Sequence, residues 1–98
     1  MDKTIYSERY GAFLRLLRST RNDSGMQQAE LAAKLSATQT FISKCERGQR
    51  RVDIVELATW CEAMGTSLSV FSANLEHALS KLQEVKNAGD ADPTKVQS

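Results

Sequence analysis

One stretch constrains the fold more than any other: residues 28–48, QAELAAKLSATQTFISKCERG. Leu31, Ala32, Leu35, Ile42 and Cys45 recur at helical spacing, interrupted at Ser36-Ala37. The pattern predicts two short helices, over residues 28–35 and 38–47, packed across a tight turn on one apolar side. Thr38 is a natural N-cap for the second, and Gly48 is a natural stop. Gln28, Gln39, Thr40, Ser43, Lys44 and Arg47 are left on the outer side. One face packs and the other is free to meet a partner.

The flanking sequence extends the helical reading. A first helix is expected over residues 7–21, with Ser7 as its N-cap. Tyr10, Phe13, Leu14 and Leu17 form its apolar stripe, and Arg9, Arg15 and Arg18 lie on wetter faces. Asn22-Asp23-Ser24-Gly25 is a break. Gln49-Arg50-Arg51 reads as a basic loop, and Asp53-Ile54-Val55-Glu56 as a capping box opening a fourth helix that Gly65 ends. Ile54, Leu57, Ala58, Cys61 and Met64 give that helix an apolar face. Trp60 lies off it, to pack on the next helix or to meet an interface. Ser67 or Ser69 caps a fifth helix reaching about residue 86. Its Phe71, Leu75, Ala78, Leu82 and Val85 recur in steps of four and three, a heptad-like seam. The first half of the seam suits the domain's own core. Leu82 and Val85 have less domain left to cover and are the dimer candidates. No strand pattern is present, so the expected fold is all-α with five helices. It comprises one domain over residues 1–87 and a frayed tail over 88–98.

Composition narrows the class. A chain of 98 residues, 41% hydrophobic, supports one domain with a small core. No apolar run is long enough for a membrane span and the N-terminus lacks a secretory core segment, so a cytoplasmic location is expected. Cys45 and Cys61 fall at apolar helical positions and read as buried small hydrophobes rather than a disulfide or zinc site. The net charge of +1 conceals a division: residues 1–51 carry +5 and residues 52–98 carry −4. A basic half joined to an acidic half suggests that one end meets a polyanion.

These residues resemble the helix-turn-helix domains of the lambda-repressor/Cro-like (Xre) family. The elements that carry the resemblance are Gln-x-x-Leu-Ala at 28–32, Thr-Gln-x-x-Ile-Ser at 38–43, Glu46-Arg47-Gly48, Glu56-Leu57 and Met64-Gly65-Thr66-Ser67-Leu68. The resemblance implies binding to a double-stranded DNA operator, usually as a symmetric homodimer, and regulation of transcription. It implies that Gln28 touches a phosphate or braces the reading helix. Gln39 and Thr40 take the first base-reading positions, and Ser43 and Lys44 the next turn. Arg47 and Arg50 lie near the flanking backbone. It also places Glu46 in a structural pair with an arginine of the first helix, for which Arg21 is the candidate. Ser36 departs from the family pattern, which often has Gly in that turn.

The residue types suit the role. Glutamine can bond adenine N6 and N7 with two prongs, threonine offers a hydroxyl and a methyl, and lysine reaches guanine or a phosphate. Thr38, Gln39 and Thr40 are short polar groups that can face the edges of bases, and the first amides of the second and third helices can face phosphates. Each group also has a plainer reading. Gln39 and Thr40 can be solvated first-turn residues, and Lys44 a surface charge. Arg50 and Arg51 can solubilise their loop or pair with Asp53 and Glu56, and His77 reads as a surface residue. No motif places a nucleophile beside a base, and no glycine-rich phosphate loop or metal-ligand cluster occurs, so neither catalysis nor a cofactor is expected. The alternative function is a protein-interaction module, such as the antitoxin of a toxin–antitoxin pair, using the last helix.

Overall fold

The computed structural model describes the backbone of residues 3–90 and the side chains of residues 8–84. Among them, the chain forms five helices and no strand: α1 (Lys3–Asp23), α2 (Gln28–Lys34), α3 (Gln39–Glu46), α4 (Ile54–Ala63) and α5 (Leu68–Asp90). The fold is all-α, as the apolar spacing implies. Two ends differ from expectation. α1 begins at Lys3, so Ser7 lies inside the helix and is not its cap. No Gly or Pro interrupts residues 3–10, and a helix once nucleated adds residues readily. α5 runs to Asp90, past residue 86; no proline interrupts residues 68–90. The tail residues 91–98 and the Val85 side chain lie outside the described residues.

Side chains close the N-termini of α2 to α5: at α2, Gln27 N donates to Glu30 Oε1 at 2.8 Å. Phe41 N donates to Thr38 Oγ1 at 3.1 Å, opening α3. Glu56 N donates to Asp53 Oδ1 at 2.7 Å, and Asp53 N to Glu56 Oε1 at 3.0 Å, which is the expected capping box of α4. At α5 the cap is Ser67, whose Oγ accepts from Val70 N at 3.2 Å; Ser69 lies inside the helix.

The C-termini of α1 to α4 close in the same way. The residue two past each C-cap donates back to the carbonyl of the helix's third-last residue: Met26 N to Arg21 O, Ala37 N to Ala32 O, Gln49 N to Lys44 O and Thr66 N to Cys61 O. That closure needs a left-handed residue just after the C-cap. Three of the helices use glycine there, at φ near 80°, whereas α2 uses Ser36 at φ 54°. A Cβ at this φ costs about 1–2 kcal/mol. Ser36→Gly is therefore expected to stabilise the fold by about 0.5–1 kcal/mol, net of glycine's larger unfolded-state entropy. Thermal unfolding checks it, and a variant that melts below the parent contradicts the strain.

Phe13 and Leu17 of α1, Leu31 and Ala32 of α2, Ile42 and Cys45 of α3, Leu57, Trp60 and Cys61 of α4, Met64 beyond it and Phe71 of α5 form one buried core. Trp60 belongs to this core and not to an interface. Both cysteines are buried and free, and burial pushes both thiols above the ordinary range. Ile54 differs from expectation. It is 61% exposed because, as the first residue of α4, it precedes the turn that enters the core. It lines a shallow apolar groove of about 340 Å³ with Tyr10, Leu75 and Leu79, and Arg9 and Arg51 are also part of the wall. Along α5, Leu75, Ala78 and Leu82 are half-buried; Ala78 and Leu82 face Ala12 and Leu16 of α1.

Candidate nucleic-acid interface

α3 divides its residues between two environments. Ile42, Cys45 and Glu46 point inward and are buried. Thr40, Lys44 and Arg47, at steps of four and three, are exposed on the opposite side, with Ser43 half-buried beside them. Gln39 is exposed on the flank nearest α2, and Thr38 is exposed at the cap. Thr38 has its oxygen engaged by the helix amide, so its hydroxyl hydrogen is what it can offer outward.

The exposed side of α3 is tied to the core through one carboxylate. Glu46 is 1% exposed. Its Oε2 accepts from Arg21 Nε at 2.6 Å and its Oε1 from Arg21 Nη2 at 3.0 Å, the two-pronged geometry that makes such pairs strong. The expected Arg21–Glu46 pair is therefore present. Arg21 also donates to Met26 O at 3.0 Å, holding the connection into α2. Glu46 Oε1 accepts a further bond from Gln28 Nε2 at 3.0 Å, and Gln28 Oε1 accepts from Gln39 Nε2 at 3.4 Å. A chain of polar contacts thus runs from buried Arg21 to exposed Gln39. Gln28, half-buried at the first residue of α2, is the link between Glu46 and Gln39.

Other supports were not legible in the sequence. Arg18 Nη1 donates to Glu46 O at 3.0 Å, so a residue of α1 satisfies a carbonyl at the end of α3. A Cβ at Gly48 would come within 3.0 Å of Leu14 Cδ1, which seats the end of α3 directly on α1. Tyr10 OH accepts from Val52 N at 3.4 Å, and the Arg51 guanidinium lies 4.4 Å over the Tyr10 ring. Cationic groups do stack on aromatic faces, but the sequence does not show which ring the fold brings within reach.

The basic residues after α3 divide. Arg47 is exposed and its Nη2 donates to Gln49 Oε1 at 3.3 Å. Arg50 makes the ion pair with Glu56 that its plainer reading expects: Nη1 lies 2.6 Å from Glu56 Oε1. The Arg50 guanidinium, with the Asp53 backbone amide adding to it, holds the Glu56 carboxyl at about 2. Among the described residues no group of three His, Cys, Asp or Glu could hold a metal ion, and no helix is long and apolar enough to cross a membrane.

A polar, partly basic row on the second of two helices packed about a tight turn, held by a buried ion pair, defines a helix-turn-helix protein. A helix-turn-helix domain family matches residues 9–72; the chain belongs to that family and is Xre-like. Among solved structures it is similar to an XRE-family like protein from Pseudomonas syringae pv. tomato str. DC3000. The two are 41% identical with a TM-score of 0.71, over 76% of this chain and 92% of the other. No curated protein matches the chain. The fold is one that DNA-binding regulators use.

Proposed function

We propose that the chain is a sequence-specific DNA-binding transcriptional regulator, a repressor that occupies a two-fold-related operator as a homodimer in the cytoplasm. α3 enters the major groove of each half-site, the half-sites lying about 34 Å apart. The observation that carries this reading is the exposed row Gln39, Thr40 and Lys44, anchored through Gln28 to the buried Arg21–Glu46 pair. Gln39, Thr40 and Lys44 read base edges. Gln28, Thr38, Ser43 and Arg47 set the register on phosphates. Leu82 and Val85 are the proposed dimer contacts. A dimer is needed because a single short helix offers few contacts, and linking two copies raises the effective concentration of the second.

The test is binding to duplex DNA across a salt series. Affinity is expected to fall steeply as salt rises. Gln39→Ala combined with Lys44→Ala is expected to weaken binding about tenfold or more, since a good two-pronged contact is worth about 1–3 kcal/mol. Salt-independent binding, or an unchanged affinity in the double variant, rules the reading out.

One observation favours a second reading, a protein-interaction module such as an antitoxin. The groove beside α5 leaves Ile54 exposed among apolar neighbours, as a surface awaiting cover does. Retention of a partner protein that Leu82 and Ile54 variants abolish, with no retention of DNA, selects this second reading.

A further inference from the structure

Arg50 sits at the junction of three elements. Its Nη1 donates to Glu56 Oε1 at 2.6 Å and to Arg51 O at 2.7 Å, and its guanidinium carbon lies 4.9 Å over the Phe41 ring. Phe41 belongs to the first turn of α3, and its amide is the one that Thr38 caps. Glu56 belongs to the first turn of α4, and the same Oε1 that meets Arg50 accepts from Asp53 N at 3.0 Å. The backbone of the intervening loop is anchored at its other end, where Gln49 N and Arg50 N both donate to Lys44 O. One side chain therefore joins the start of α3, the loop after α3 and the cap of α4. Both hydrogens of Nη1 are taken, by a carboxylate and a carbonyl, and one face of the guanidinium lies on a ring; a phosphate approaching the rest of the group would meet a carboxylate already 2.6 Å from Nη1.

We propose that Arg50 is a positioning residue for DNA recognition. It acts through Glu56 and Phe41 to fix the loop that carries Arg47, and it does not itself neutralise a phosphate. This replaces the backbone-contact role that the family resemblance implies for Arg50, and it rests on the DNA-binding reading of α3. A lysine at this position keeps the charge but has no planar group to lie on the Phe41 ring while its nitrogen meets the carboxylate and the carbonyl.

The experiment uses the full chain and a duplex selected by the wild-type protein from a random-sequence library. Affinity is measured across a salt series for wild type, R50K, R50Q, E56Q and the R50Q/E56Q pair, with thermal unfolding of each. Positioning predicts that R50K and R50Q weaken binding alike, by about two- to fivefold, on the scale of an exposed ion pair. It predicts that E56Q also weakens binding, although it removes a negative charge, and that the pair is no weaker than the poorer single variant. A phosphate-contacting Arg50 gives the opposite signs. R50K then stays near wild type, E56Q tightens binding by releasing the arginine, and R50Q lowers the salt slope by about 0.9. Any of those three overturns the proposal. If the wild type selects no duplex, it is the DNA reading that fails. The clamp is then judged by unfolding alone: melting losses of R50Q and E56Q that do not add support it, and additive losses overturn it.

Discussion

Glu46→Ala is expected to lower stability by about 3–5 kcal/mol, because it leaves the Arg21 guanidinium buried without its counter-charge. Arg21 is 9% exposed and Glu46 1%, so solvent cannot take over the interaction as it does for surface pairs. In a domain of this size, each kcal/mol shifts the melting temperature by about 4–8 °C. The variant should therefore melt roughly 12–40 °C below the parent, near the edge of folding for a small protein. Circular dichroism during heating measures this. A shift of only a few degrees would show that the pair is dispensable. Glu46→Gln should be milder, since its carbonyl oxygen can still accept from Arg21. Below its melting temperature, Glu46→Ala should also bind DNA less well than folding alone accounts for, because Gln28 loses the oxygen that orients it.

Phe71→Ala is expected to cost about 3–5 kcal/mol, the usual range for removing a buried phenyl ring. Phe71 is 1% exposed and meets Phe13 edge-on at 5.8 Å between ring centres. It is the one fully buried side chain of α5 among the described residues, so its loss unpins that helix from α1. Amide hydrogen exchange should speed up along α5 before it does in α2 and α3, whose core residues are untouched. Leu82→Ala, at a half-buried position, should destabilise markedly less. Equal losses from the two would mean that the far end of α5 anchors the helix as firmly as its start.

Local signals in the chain were readable because short-range chemistry decides them. Thr38 and Asp53 cap because a side-chain oxygen lies three residues from an unsatisfied amide, and Ser36 adopts a positive φ because the closure of α2 requires it. The Arg21–Glu46 pair came from family resemblance rather than from spacing. What stayed hidden depends on packing across the chain. Arg18 reaches α3 over 28 positions and Tyr10 reaches Val52 over 42, and no periodicity encodes such distances. Ile54 has the right residue type for the core and the right phase on its helix, yet lies one turn too early to reach it. Ser7 has the residue type of a cap, yet α1 starts at Lys3 and takes it into its interior.

The chain of contacts beneath Gln39 carries a direction as well as a connection. Ionised Glu46 has only acceptors to show, so the amide of Gln28 must turn its nitrogen inward and its oxygen outward. That oxygen in turn accepts only from the nitrogen of Gln39. A single buried negative charge thereby sets the polarity of two successive amides. It leaves Gln39 facing outward with one acceptor oxygen and one remaining N–H, the complement of the donor and acceptor that adenine presents in the major groove. The chemical handedness of the exposed surface is thus decided two side chains away, in the interior.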